Sequence, residues 1–167
     1  MFLSIKKVIH FANAEIVYEM PCTNSEGVFT IKAEGRYGLW ISGKLFTKPP
    51  IGEFGFRVIN QHTGKEIPLS SILLRSNVNG FKTGRIELYT FYAEEGTYII
   101  SLDGEASVRD KMGAFVRNMI NKQFVDYSLY SVQIRKHTSS YVLMLYIFGI
   151  IFASMATLAG IIIPIVL

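Results

Sequence analysis

The last stretch of the chain constrains its architecture more than any other. Residues 141–167 read YVLMLYIFGIIFASMATLAGIIIPIVL and contain no charged residue, no Asn and no Gln. A helix of this length, rising ~1.5 Å per residue, crosses a hydrocarbon core of ~30 Å with some tilt. Its Leu, Ile, Phe and Val side chains favour insertion, and no ionised group opposes them. The sequence therefore predicts a C-terminal transmembrane helix at 141–167.

All the charges lie before this stretch. The 17 basic and 13 acidic side chains precede Tyr141, so the net charge of +4 belongs to the preceding part of the chain. The excess is mild and lacks the basic clusters with interleaved aromatic residues that are typical of a nucleic-acid surface. We therefore expect no nucleic acid as a partner, and an anionic lipid bilayer fits the charge better.

The region from residue 14 onward has the pattern of a β-sandwich. Short alternating segments separated by turn residues recur about every 8–12 residues, which predicts a mainly β fold of about 7–8 short antiparallel strands. The predicted strands are Glu15–Met20, Val28–Ala33, Gly35–Gly43, Phe54–Asn60, Glu66–Leu74, Arg85–Tyr92, Gly96–Leu102 and Tyr127–Ile134.

Two of these strands begin in the same way, with Gly35-x-Tyr37 and Gly96-x-Tyr98, and a second glycine follows each tyrosine after six residues. The first glycine permits a tight turn, while the tyrosine ring is buried and its hydroxyl reaches loop backbone at the sandwich edge. The pattern predicts either two equivalent strands on facing sheets or a weak internal duplication.

A change of period predicts one amphipathic helix at about 107–124. Apolar residues recur there every three to four positions, and Ser107 is suited to cap the helix. The opposite face is either solvated or in contact with a membrane surface. The predicted membrane-surface residues are Arg109, Lys111, Arg117 and Lys122 of this helix, together with Arg135 and Lys136 before the hydrophobic stretch.

These patterns divide the chain into four parts. Residues 1–13 form an N-terminal segment, either a short helix or a first strand. Residues 14–136 form the soluble domain, 137–140 a linker and 141–167 the anchor. Lys6 and Lys7 interrupt the N-terminal apolar run, so it is not predicted to be a signal peptide. This segment either packs on the domain or makes a second membrane contact.

The basic residues beside the predicted span indicate its orientation. Arg135 and Lys136 flank it on the domain side, and no charged side chain follows it. The positive-inside rule then places the soluble domain in the cytoplasm. The sequence thus predicts a single-pass, tail-anchored membrane protein, in the inner membrane if the source is bacterial.

Two groups of residues are candidates for partner contacts. Small residues at helical spacing in the span allow another helix to approach closely, which predicts a partner helix or a homo-oligomer. The strand RIELYTFY is apolar on both faces near its end, so its aromatic side chains either form an exposed partner surface or are buried beneath the helix. These candidates are Gly149, Ala153, Thr157 and Gly160 in the span, and Tyr89, Phe91 and Tyr92 in the strand.

The sequence contains no recognisable constellation for catalysis. His10, His62 and His137 lack the spacing of a metal site, and the single Cys22 excludes an intramolecular disulfide and a cysteine-rich zinc site. We therefore predict that the protein is not an enzyme and has no catalytic residues, metal or cofactor.

The functional hypothesis that follows is a non-enzymatic β-sandwich that binds another protein at the cytoplasmic face of a membrane. Accessory subunits of membrane complexes, and immunity proteins that neutralise membrane-acting toxins, share this size and layout, a comparison of architecture alone. Two alternatives are a structural subunit that packs through its transmembrane helix, and a lipid- or small-ligand-binding domain at the membrane surface.

Overall fold

The described part of the chain divides into two compact units. The computed structural model of the protein describes residues 4–6, 9, 14–45, 47, 50–51, 55–72, 75–104 and 126–166. One unit comprises Glu15–His137, and the other comprises Met1–Ala14 together with Thr138–Leu167. The predicted amphipathic helix at 107–124 lies outside the described residues.

The first unit is built from two antiparallel sheets. In the described residues a six-stranded sheet has the order β1-β10-β3-β8-β6, with β7 also paired to β8, and a four-stranded sheet has the order β2-β9-β4-β5. The prediction of a mainly β fold is confirmed. The strands are β1 Ile16–Pro21, β2 Glu26–Ile31, β3 Gly35–Lys44, β4 Gly55–Asn60, β5 Glu66–Ile67, β6 Ser70–Ser71, β7 Asn77–Asn79, β8 Thr83–Ala93, β9 Gly96–Gly104 and β10 Tyr130–Lys136.

Apolar side chains from both sheets form one hydrophobic core. Alternate residues of the central strands contribute to it, as the period of two in a half-buried strand requires. The ring of Phe29 stacks between Tyr18, at 5.6 Å between centroids, and Tyr98, at 5.7 Å. Fully buried members from the two sheets include Ile31, Val58, Ile100, Leu39, Val132 and Ile134.

A β-bulge in β8 decides which side chains enter this core. Leu39 pairs with Tyr89, but the next residue, Trp40, pairs with Glu87, so Leu88 is an extra residue in β8. An extra residue reverses the in–out alternation of a strand. The bulge therefore turns Tyr89 toward the core and Glu87 toward the opposite face of the six-stranded sheet.

The bulge also changes the predicted aromatic surface. Tyr89 and Phe91 are buried, with Tyr89 edge-on to Phe56 at 5.9 Å and Phe91 beside Tyr37 at 6.1 Å. Only Tyr92 is exposed, at 51%, and its hydroxyl hydrogen-bonds to Glu34. The three residues therefore do not form one exposed surface.

Two predicted strands differ from the structure by more than a shift of their ends. The predicted strand Glu66–Leu74 is divided, because β5 belongs to the four-stranded sheet and β6 to the six-stranded one. Pro68 lies between them and has no N–H for a strand ladder, so the chain changes sheets there. The predicted strand Tyr127–Ile134 begins instead as a 3-10 turn, Tyr127–Leu129, capped by Asp126.

The two Gly-x-Tyr patterns form equivalent corners. The Tyr37 hydroxyl donates to the Ala33 carbonyl at 2.5 Å, and the Tyr98 hydroxyl donates to the Glu94 carbonyl at 3.0 Å. Each tyrosine is buried and bonds four residues upstream, across a connection that passes from one sheet to the other. These are the backbone hydrogen bonds that the sequence pattern predicts, one on each sheet.

The second unit contains the C-terminal helix, Ser140–Val166, of 27 residues. Residues 4–6 and 9 are also helical. In the described part of the chain, no helix is both long enough and apolar enough to cross a membrane.

Gly43 provides a test of the packing between β3 and β10. A Cβ atom there would lie 2.1 Å from the Tyr130 ring and 2.9 Å from the Leu129 carbonyl oxygen, whereas one at Gly35 would meet nothing within 4 Å. We expect Gly43→Ala to lower the free energy of unfolding by about 1–3 kcal/mol through overpacking. The control Gly35→Ala should change it by less than about 0.5 kcal/mol. Urea unfolding of the full chain in detergent, followed by Trp40 fluorescence, measures both; equal midpoints would contradict the packing described.

Candidate functional site

A cavity of about 250 Å³ lies at one end of the six-stranded sheet. It is lined by the end of β3, by β7, by the start of β8 and by the first residue of β10. Its walls combine four aliphatic side chains with side-chain amides and hydroxyls and with the two cationic residues Lys44 and Arg85. The apolar members are Ile41, Leu45, Ile51 and Ile86, and the polar ones include Thr47, Asn77, Asn79 and Tyr130.

The hairpin of β7 and β8 forms one wall of this end cavity. The Gly80 amide donates to the Thr83 carbonyl at 2.8 Å and closes the turn, which leaves Phe81 at the tip. A Cβ atom at Gly84 would lie 2.7 Å from Asn79 Oδ1 and 2.8 Å from Leu45, so the glycine permits both side chains to approach the strand. The Phe81 side chain is fully exposed, at 106%.

A hydrogen bond between Thr47 and Tyr130 fixes the opposite wall. The Thr47 hydroxyl donates its one proton to the Lys44 carbonyl at 2.7 Å, so Tyr130 is the donor in the Tyr130–Thr47 pair. Burial raises the pKa of Tyr130, which keeps the phenol protonated at neutral pH. The cavity thus combines a fixed phenol with apolar walls, as in sites that accept an apolar group beside a hydrogen-bonding one.

A second cluster, of polar side chains, lies on the other face of the six-stranded sheet. Gln133 pairs with Trp40, and Trp40 pairs with Glu87, so the three side chains share one row across β10, β3 and β8. Glu87 is 0% exposed and Gln133 is 5% exposed. Such residues are almost never buried to this extent without partners.

Gln133 joins this row to two charged groups. Its amide nitrogen donates to Glu19 Oε1 at 2.9 Å, and its amide oxygen accepts from Arg135 Nε at 2.9 Å. Arg135 is only 5% exposed, and burial lowers its pKa to about 10, with the nearby Arg85 acting in the same direction. Arg135 therefore lies within this cluster, where its hydrogen bond to Gln133 holds the guanidinium against the sheet, and its predicted contact with a membrane surface stays a prediction.

His137 completes the cluster where the chain leaves the first unit. Its Nδ1 lies 2.8 Å from Glu87 Oε1, and its backbone amide donates to the Arg36 carbonyl at 3.0 Å. The residue predicted to begin a linker is thus fixed on both its side chain and its backbone. The cluster holds the end of β10 at a defined position.

Other predicted site residues fall in several places. Lys136 is exposed, while Arg109, Lys111, Arg117 and Lys122 lie outside the described residues. In the C-terminal helix Ala153 is partly buried, the Thr157 hydroxyl donates to the Ala153 carbonyl at 2.8 Å, and a Cβ at Gly160 would meet nothing within 4 Å. Gly149 differs, since a Cβ there would lie 3.5 Å from Ser4 Oγ.

Cys22 has the environment of a structural residue. Its side chain is buried and its backbone amide donates to the Tyr130 carbonyl at 2.9 Å. Burial raises the pKa of the thiol to about 12, so the thiolate is scarce at neutral pH. Within the described ranges, no three His, Cys, Asp or Glu side chains lie close enough together to hold a metal ion.

Sequence reasoning missed the main features of both places. Phe81 lies in the polar segment SNVNGFKTG, and its isolation among polar residues was the one available signal. Glu87 gave a signal as the only charged residue inside the apolar run IELYTFY. The chain matches no family model, no curated protein and no solved structure.

Proposed function

We propose that the protein is a tail-anchored, single-pass membrane protein whose β-sandwich is a non-enzymatic protein-binding module on the cytoplasmic side. Accessory subunits of membrane complexes, and immunity proteins that neutralise membrane-acting toxins, share this size and layout. The observation that carries the proposal is the large apolar surface that the C-terminal helix leaves exposed. Recognition of the partner is assigned to Phe81 and the end cavity.

The exposed surface of the C-terminal helix supports the anchoring. Large apolar side chains with 59–70% exposure occur at Leu145, Phe152, Met155 and Leu158. At 100° per residue these four positions lie within an arc of about 140°, and the exposed Val142 and Ile147 extend the apolar surface beyond it on both sides. Exposing such side chains to water costs ~25 cal/mol per Å² of apolar surface, a cost that lipid removes. A helix that is apolar on most sides is typical of a buried element or a membrane span.

The few polar groups of this helix also suit a hydrocarbon environment. The Ser154 hydroxyl donates to the Ile150 carbonyl at 2.8 Å, and the Thr157 hydroxyl donates to the Ala153 carbonyl at the same distance. Both hydroxyls are therefore satisfied within the helix, as a bilayer core requires of polar groups.

Anchoring is tested by placing charge near the helix centre. Phe152 and Met155 are exposed and close to the midpoint of 140–166. Each lysine at the centre of a span costs about 2.5–3.5 kcal/mol on insertion scales, so the double variant Phe152→Lys/Met155→Lys should lose its association with vesicles.

Flotation of the full chain with vesicles on a density gradient measures this association, and aggregates do not float. The matched control is Phe152→Leu/Met155→Leu, which should float like the unaltered protein. If the lysine variant floats equally well, the anchor proposal is wrong.

The cytoplasmic orientation rests on the cations beside the anchor. Of the two flanking residues, Lys136 is exposed while Arg135 is buried in the polar cluster, so Lys136 carries the positive-inside argument there. A thiol introduced as Phe81→Cys is fully exposed, whereas Cys22 is buried and largely protonated. We expect a membrane-impermeant maleimide to label this variant in intact cells only after permeabilisation; labelling without it would reverse the orientation.

The hairpin tip supports recognition of a protein. Phe81 is fully exposed, so a partner that covers it removes a whole aromatic side chain from water, which favours binding. The end cavity lies beside the same hairpin. Interface hot spots are typically a few such anchors near pockets, surrounded by polar residues. The neighbouring amides of Asn77 and Asn79 can hydrogen-bond to a partner's backbone.

Phe81→Ala should weaken partner binding at least about tenfold, since hot-spot truncations cost ~2 kcal/mol or more. Because Phe81 contacts little of its own domain, the unfolding midpoint should not change. The control is Val28→Ala on β2 of the four-stranded sheet, a position that is also exposed.

Affinity purification from native membranes with the anchor intact, quantified by mass spectrometry, compares the three proteins. A partner retained by Val28→Ala and lost from Phe81→Ala identifies the recognition surface. Equal recovery with both variants would refute the role of Phe81.

The exposure of Thr157 and Gly160, the last two of the four small residues at helical spacing, favours a second candidate, a structural subunit that packs through its span. Gly160 has free space where a Cβ would project, and Thr157 is exposed. If Gly160→Ile abolishes complex formation while Phe81→Ala does not, this candidate replaces the first. The third candidate, lipid or small-ligand binding by the 107–124 segment, involves residues outside the described part of the chain.

A further inference from the structure

We propose that the N-terminal segment is a second membrane contact, an interfacial element that packs on the C-terminal helix at Gly149 and places Ile5 and Ile9 in lipid. The inference rests on the proposed membrane anchoring of that helix. It assigns a lipid surface as the partner of a segment outside the two-sheet unit.

The first observation is the contact between the two ends of the chain. A Cβ atom at Gly149 would lie 3.5 Å from Ser4 Oγ, an ordinary van der Waals distance, so Ser4 packs against the helix at this glycine. Residues 1–14 and 138–167 also form one compact unit. Among the described side chains of the helix the less exposed ones are Tyr146, Ile150, Ala153 and Ser154, and the first three lie within about 100° of Gly149.

The second observation is the apolar surface of the N-terminal segment itself. Residues 4–6 and 9 are helical, and Ile5 and Ile9 are separated by four positions, the spacing of neighbours on one helix face. Both are exposed, Ile9 at 54%. Ser4 lies against the C-terminal helix, whereas Ile5 and Ile9 are exposed. Their apolar surface adds to that of Leu145 and Phe152 in the same unit.

The charge of this segment indicates an interfacial position. Lys6 is exposed, and Lys7 follows it in the sequence. Lysines beside apolar residues bury their stems and keep the ammonium group among lipid head groups.

The depth of the contact agrees with this position. The 27-residue helix is ~40 Å long, so it exceeds a ~30 Å core by ~5 Å at each end. Gly149 lies nine residues after Ser140, ~14 Å along the axis, and therefore ~9 Å below the edge of the hydrocarbon. Interfacial amphipathic helices bury their apolar faces ~5–10 Å deep, which matches the level of Ser4 at this contact.

A disulfide between the two segments tests the packing in native membranes. The full-chain variant Ser4→Cys/Gly149→Cys should form an intramolecular disulfide on mild oxidation, since the two side chains would be in van der Waals contact. Ser4→Cys/Ile151→Cys is the control, because Ile151 lies about 200° around the helix from Gly149 at a similar depth. Absence of the bond, or a bond between two chains, would overturn the packing.

Quenching by nitroxide-labelled lipids tests the lipid contact separately. A fluorophore is attached to a single introduced cysteine at Ile9, Phe152 or Phe81 of the full chain, in vesicles of phosphatidylcholine and phosphatidylglycerol. We expect several-fold stronger quenching at Ile9 and Phe152 than at Phe81.

The outcomes separate this inference from the anchor proposal. Quenching at Phe152 without quenching at Ile9 would overturn the second contact and leave the anchor in place. Absence of quenching at Phe152 would overturn the anchor, and the second contact with it.

Discussion

The extra residue at Leu88 is the constraint on which the two-sheet unit depends. Without it, Glu87, Tyr89 and Phe91 would share one face of β8, and a carboxylate would enter the core or two aromatic rings would leave it. The bulge resets the alternation between Glu87 and Tyr89, so each residue reaches the environment that its chemistry requires. The aromatic contacts of the core with Phe56 and Tyr37 follow from this one insertion.

The same insertion creates the buried polar cluster. Once Glu87 faces away from the core, it needs a partner, because an isolated buried carboxylate is costly, and His137 supplies one at 2.8 Å. Gln133 connects Glu19 of the adjoining strand β1 with Arg135 of its own strand by neutral-to-charged hydrogen bonds. Buried pairs of this kind add little net stability, but they penalise alternative registers of β10, since any slip leaves charges unpaired. The cluster thus specifies the register of the strand from which the chain continues to the helix.

Sequence reasoning succeeded where the signal was local. The hydrogen bonds of Tyr37 and Tyr98 to loop backbone could be predicted, because in each case the glycine, the tyrosine and the bonded carbonyl lie within five residues of one another. It failed where the cause was a partner strand: nothing in RIELYTFY shows that its pairing with β3 contains a bulge, and nothing near Arg135 shows that Gln133 bonds to Glu19 on β1. The division of the predicted strand Glu66–Leu74 had a local cause, Pro68. The prediction used only the alternation of apolar and polar residues and did not take this proline into account. The role of Phe81 in the candidate site was not predicted, because Phe81 lies in a polar segment. Its exposure depends on the hairpin turn that the Gly80–Thr83 hydrogen bond closes, and the sequence pattern does not show this turn.

The two units differ in how much apolar side-chain surface they expose. In the described part of the two-sheet unit, nearly all large aromatic rings are buried or hydrogen-bonded, so the fully exposed Phe81 is an exception that calls for a partner. In the helical unit exposure of Leu145, Phe152 and their neighbours is the rule, which no single docking site would cover. A single exposed ring is best covered by one bound partner, whereas apolar side chains exposed along a whole helix are best covered by a continuous apolar phase. One physical criterion, the free energy of exposed apolar surface, therefore underlies both proposals, a protein partner for the hairpin and lipid for the helix.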